Sequence, residues 1–165
     1  MKKQLVILLL LATSVCSYAQ YDFAIGLRSG GTSGITLKSI RSDQVAVEGI
    51  IGIWNDGLSL TGLYERHPNA FDVNGFHWLL GLGGHATFYE GSFRGNNGPA
   101  WYKDYPDGIE DDALGLGIDG MAGLEFKFPA VPLAISMELK PFIEFTTRGD
   151  VWFSFDPGLG IKFAF

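Results

Sequence analysis

Residues 153–165 read FSFDPGLGIKFAF. Phe153, Phe155, Leu159, Ile161, Phe163 and Phe165 fall on one parity, and Ser154, Asp156, Gly158, Gly160, Lys162 and Ala164 on the other. Side chains of a strand alternate between two faces. The stretch therefore predicts a strand with one oily face and one small or polar face.

The same period runs back through the chain, in segments 21–29, 35–41, 45–54, 58–67, 76–89, 114–128 and 133–147, with Arg148-Gly149-Asp150 leading into the eighth. Turn-forming runs separate them: 30–34, 42–44, 55–57, 68–75 and 129–132. Asp56-Gly57 supplies the positive φ of a tight hairpin. That hairpin predicts Trp54 opposite Ser59 and Glu48 opposite Glu65, with Lys38 beside Glu48 across the preceding turn. A long connection, 90–113, joins the fifth and sixth segments. No stretch beyond residue 20 carries a helical period, glycine numbers 23 and aromatics make up 14%. An all-β chain of eight antiparallel strands follows, with only the second strand short.

Residues 1–19 stand apart as an export signal. Lys2 and Lys3 precede an apolar run from Leu5 to Ala12, and Ser17-Tyr18-Ala19 forms a small-x-small cleavage site, with the cut after 19 or 20. The run is too short for a spanning helix of roughly 20 residues. Acylation of Cys16 is the alternative, but Thr13-Ser14-Val15 does not fit the residues expected ahead of a lipidated Cys. The mature domain, 20–165, then holds no cysteine. It keeps 10 basic against 18 acidic residues, a net charge of −8 in place of −6, which argues against a nucleic-acid partner.

The charges decide what kind of β protein this is. Arg28, Lys38, Glu48, Glu65, Asp119, Glu125, Lys127, Glu138, Lys140, Glu144, Asp156 and Lys162 all fall on the less oily parity of their strands, joined by His77, His85 and Thr87. The other parity collects Ile25, Leu27, Ile51, Leu80, Leu82, Ile118, Met137, Phe145 and their like. Arg66 breaks the rule, at a strand end where it reaches headgroups. A soluble sandwich or lipocalin shows the reverse, a greasy interior and a charged exterior. The pattern predicts an eight-stranded transmembrane β-barrel with a polar, charged interior, since lipid tolerates no unpaired strand edge. With both termini in the periplasm, loop 90–113 lies outside the cell and the short turns within. Inward Gly81, Gly83, Gly115, Gly117 and Gly123 make room for long interior side chains. A barrel of eight strands holds little more than those, so no wide pore is expected.

The signal, the eight segments and the terminal Gly160-Ile161-Lys162-Phe163-Ala164-Phe165 together resemble a small Gram-negative outer-membrane β-barrel protein of the OmpA/OmpX-like superfamily, over the whole mature chain. GLRSGGTSGITLKS (26–39) and GIDGMAGLEFKF (117–128) resemble uncharacterised barrels of this kind. The resemblance implies that Gly160, Phe163 and Phe165 form the signal read by the barrel-insertion machinery. No appended peptidoglycan-binding domain is expected, with Phe165 as the last residue. The superfamily includes adhesins, structural barrels and lipid-modifying enzymes, so fold alone does not choose the function.

Three candidate sites remain. The Lys38, Glu48 and Glu65 trio reads as part of a charge network filling the barrel, with a proton or cation site as the alternative. His77 and His85 lie about 27 Å apart along one strand and cannot share a metal, while His67 is expected in solvent. An enzyme would use His85 with Thr87 or Ser92 near the outer rim. Loop 90–113 offers Trp101, Tyr102 and Tyr105 as anchors and Asp107, Glu110, Asp111 and Asp112 as charge. Its carboxylate spacing fits no EF-hand, and Trp54 and Trp152 are expected beneath it. The expected role is structural or surface-interacting, for a monomer without cofactor. Its partners would be outer-membrane lipids, the insertion machinery and an extracellular ligand or protein. A lipid-modifying enzyme or a narrow ion or proton conduit are the alternatives.

Overall fold

A strand exposes a row of unpaired N–H and C=O groups along each edge, and only closure of the sheet removes both edges. The computed structural model, which describes residues 23–42, 44–54, 57–89, 113–149 and 151–165, is such a closed sheet. Its strands are β1 (Phe23–Gly30), β2 (Gly34–Ser42), β3 (Val45–Trp54), β4 (Gly57–Arg66), β5 (Phe76–Tyr89), β6 (Ala113–Lys127), β7 (Leu133–Thr146) and β8 (Val151–Ala164). Each pairs antiparallel with the next, and β8 returns to β1. At that seam Phe23 N donates to Phe165 O at 3.2 Å and Phe165 N to Phe23 O at 2.8 Å.

The strands follow the alternating segments, with β3 and β5 starting and ending where the pattern does. The shortest described strand is β1, with 8 residues, and not β2, with 9. One register differs. Trp54 pairs with Gly57, so Glu48 lies opposite Leu63 and Glu65 opposite Ala46. The expected pairing of Glu48 with Glu65 is thus two residues out, because β4 begins directly at Gly57. A slip of two keeps every side chain on its own face, which is why the face assignments survive it. Lys38 does pair with Glu48. The β6–β7 ladder lapses between Asp119↔Phe142 and Ala122↔Leu139, where Pro141 has no N–H to give.

The two faces of the wall differ sharply. Outward side chains are apolar and exposed, with Leu82 at 72%, Ile118 at 67% and Leu159 at 62%. The opposite face is buried, and Glu48, Glu65, Asp119 and Asp156 lie on it with no exposure at all. Between β4 and β5 a hairpin tip spans 67–75. Phe71 and Asp72 there are both left-handed, with φ of 55° and 54°, a conformation that costs a non-glycine residue about 1–2 kcal/mol.

Close strand approach needs glycine at a few points. A Cβ on Gly83 would run into the Gly62 carbonyl oxygen across the β4–β5 seam. Gly83→Ala should therefore cost about 1–3 kcal/mol as overpacking, read as a lowered urea midpoint of the detergent-refolded barrel.

Candidate functional site

Because β2, β3, β4, β6 and β8 all turn their charged parity inward, five strands deliver ionic groups to one buried cluster at the end carrying Phe23 and Phe165. Lys38 Nζ lies 2.9 Å from Glu48 Oε2, 2.9 Å from Glu65 Oε2 and 3.2 Å from Glu125 Oε2. Lys162 Nζ reaches Glu48 Oε1 at 3.0 Å and Glu125 at 3.9 Å. Lys127 approaches Glu125 Oε1 at 3.7 Å from a partly exposed position. Three ammonium groups thus face three carboxylates. Glu48 and Glu65, out of register as neighbours, still meet because one lysine spans the distance between them.

His67 belongs to this cluster, contrary to its expected place in solvent. Its Nε2 lies 3.0 Å from Glu65 and its Nδ1 3.5 Å from Glu125, at 3% exposure. Its backbone N donates to Gln44 O at 2.8 Å, which folds the residue under the rim just past the end of β4. His77 is half-buried, with Nδ1 3.1 Å from Gly75 O.

A second cluster lies toward the other end. The guanidinium of Arg28 binds Glu138 through Nε and Asp156 Oδ1 through Nη1 at 3.2 Å, and donates to Thr32 O. Thr32 N donates to Asp156 Oδ1 at 2.8 Å, so the glycine-rich turn after β1 is tied to β8. Lys140 Nζ lies 3.1 Å from Asp119 and 3.5 Å from Asp156. His85 bridges Asp119 through Nδ1 and Glu144 through Nε2, both at 2.9 Å, and Phe142 meets the imidazole edge-on at 5.3 Å. Tyr89 Oη donates to Glu144 at 2.7 Å. Gly117 lies under the His85 ring, Gly115 under the Glu144 carboxylate and Gly158 under the Arg28 guanidinium, where any Cβ would collide.

Ile50, Leu63 and Met121 pack together between the two clusters. Each sits on its strand between a member of one cluster or its neighbour and a member of the other: Glu48 and Gly52, Glu65 and Thr61, Asp119 and Glu125. Burying a charge is expensive unless a partner and hydrogen bonds repay it. Both clusters supply those partners, some from the neighbouring strand, as Glu48 for Lys38, and some from strands further round the barrel, as Glu125 for Lys38 and Glu138 for Arg28. Chemically the arrangement locks strands together and fills the space between them. Among the described residues, no group of three or more His, Cys, Asp or Glu side chains could hold a metal ion.

Sequence reasoning overlooked Tyr89 and Thr32. Tyr89 shares the parity of His85 and Thr87, so the strand period already placed it. Thr32 acts largely through its backbone, which no side-chain pattern reveals. The loop residues Trp101, Tyr102, Tyr105, Asp107, Glu110, Asp111 and Asp112, the side chains of Trp54 and Trp152, and the signal segment lie outside the described residues. Gly160 pairs with Ser136, while Phe163 and Phe165 are exposed at 42% each. Compared with protein-family models, curated proteins and solved structures, the chain matches none.

The geometry ranks the cations. Lys38→Met would leave three buried carboxylates around an apolar tip and should cost about 3–5 kcal/mol. Lys127→Met removes a longer, partly exposed pair and should cost at most about 1 kcal/mol. Urea unfolding of the two variants side by side in detergent checks the order.

Proposed function

We propose that this chain is an integral outer-membrane β-barrel, exported through a cleaved signal, whose role is structural or surface-interacting and is exerted through loop 90–113. The observation that carries the reading is the inversion of the wall: exposed apolar side chains outside, ion-paired charges within. In water such a wall would cost about 25 cal/mol for each Å² of apolar surface left exposed. Lipid removes that cost, and a closed ladder is what lipid demands of a β protein.

Several features favour a scaffold over a conduit or an enzyme. The cluster at the Phe23 end balances three ammonium groups against three carboxylates, and Ile50, Leu63 and Met121 add an apolar patch inside the wall of β3, β4 and β6. His85 is already engaged by two carboxylates and buried at 8%, which leaves it poorly placed as a general base for lipid outside the wall. Aromatic and acidic residues gather in the connection between Tyr89 and Ala113. Lipids of the membrane and the insertion machinery are the expected partners, with an extracellular ligand or protein at the loop.

The reading makes two linked predictions. The detergent-refolded protein should migrate faster unboiled than boiled on a denaturing gel, and equal mobility would argue against a barrel that persists in detergent. On intact cells, an epitope inserted after Gly98 should bind antibody, while one after Ala130 should stay hidden until the envelope is permeabilised. The opposite labelling would overturn the orientation and with it the surface role.

A further inference from the structure

The tip between β4 and β5 is built as a rigid platform that holds one aromatic ring outward. Ala70 N donates to Phe76 O at 2.9 Å, Phe76 N to Val73 O at 3.0 Å and Trp78 N to Pro68 O at 2.9 Å. Val73 N closes the tight turn on Ala70 O at 3.2 Å, and Ala70 is fully buried. Two consecutive non-glycine residues, Phe71 and Asp72, are held left-handed to make this turn. Strain of this kind persists only where its surroundings enforce it, and it marks positions worth a functional reading.

The strained turn exposes apolar surface. Phe71 is 64% and Val73 51% exposed. The Phe71 ring lies 5.2 Å from Trp78 and 6.0 Å from Phe76, both on the outward parity of β5. Phe76 in turn meets Phe126 at 5.5 Å, and Phe126 meets Phe128 at 4.9 Å. The ring of Phe71 thus extends the apolar wall beyond the last rung of the sheet. Asn69, Asp72, Asn74 and His77, with Val73 and Gly75 among them, line a recess of about 350 Å³ on the tip. The tip is amphipathic, and its apolar side is continuous with the wall.

We propose that turn 68–75 is a lipid-contacting foot, with the Phe71 ring seated in the headgroup–acyl boundary of the leaflet that surrounds this end of the barrel and Val73 beside it at the rim of the recess. The inference rests on the membrane reading above and adds a named contact to it. Rings with apolar bodies gain most at that boundary, where apolar surface is buried while neighbouring polar groups stay wet. A turn designed only to reverse the chain would place Asn or Gly at the left-handed positions. Here Phe occupies one of them, so the position of the ring is what the strained backbone secures. A soluble protein docking on the same tip is the competing occupant.

The test uses the full chain carrying Cys16→Ser, so that an introduced thiol is the only one. Val73→Cys and, separately, Leu82→Cys are labelled with bimane and reconstituted in phosphatidylcholine vesicles. Lipids brominated near the headgroup end of the acyl chain report contact with the boundary, and aqueous iodide reports exposure to water. The expected result is strong bromolipid quenching and weak iodide quenching at 73. Adding Phe71→Ser should reverse the two severalfold, whereas Phe71→Trp should preserve them. Should Phe71→Ser fail to fold, the probe at 73 in the otherwise native turn decides alone. Iodide quenching at 73 without bromolipid quenching, while 82 is quenched by lipid, would overturn the foot and leave the soluble partner. Absence of lipid quenching at both positions would remove the membrane reading and the foot together.

Discussion

The structure depends first on closure. Once Phe165 hydrogen-bonds back to Phe23, every strand has an inside of fixed and small volume, and the register of each seam is set by its neighbours on both sides. That constraint decides which charges can meet. Lys38 reaches three carboxylates from β3, β4 and β6 only because the sheet curves round to bring those strands within one side-chain length. Arg28 likewise joins β1 to both β7 and β8. The ionic contacts are therefore consequences of the ladder that in turn hold it closed. Removing one partner would leave its counterpart desolvated and unpaired, which is the costly case for a buried ion.

Packing is divided between glycine and the long polar side chains. Gly115, Gly117 and Gly158 sit directly beneath Glu144, His85 and Arg28, so the absence of a side chain on one strand is matched by a large one on its neighbour. Space inside an eight-stranded barrel is short, and this pairing lets charged groups lie flat against the wall. The same argument explains why so small a group as Ile50, Leu63 and Met121 makes up the apolar part of the interior: little cross-section remains once the wall is lined.

Much of this could be read from residue order alone, and the failures are as physical as the successes. A period of two assigns faces, so Glu48, Asp119, Asp156 and Lys162 were placed on the correct parity without knowing a single contact. The same period cannot see a slip of two, which is why alternation pairs Glu48 with Glu65 where the ladder pairs it with Leu63. Turn length, set by where β4 begins, is information that alternation does not carry. His67 lies just past the strand, where parity ceases to apply and a backbone hydrogen bond to Gln44 sets its position instead. Sequence alone marks Phe71 and Asp72 only as turn residues. Nothing in their identity announces a left-handed backbone, because the propensity of Phe argues against it.

That last failure separates the two ends of the barrel. At the end bearing Phe23 and Phe165, connections are short and carry their own hydrogen bonds, and even a strained turn is fixed by ring contacts and a backbone network. At the end bearing Tyr89 and Ala113, a long connection departs from strand ends anchored by Tyr89 on Glu144 and by the Tyr89↔Ala113 pair. A scaffold that locks its interior with ion pairs has little freedom to change there, because each substitution disturbs several partners. Changes in the connections cost the ladder almost nothing. In a protein organised this way, the parts the ladder does not constrain are the ones free to change, and the buried ion pairs hold the strand ends from which they depart.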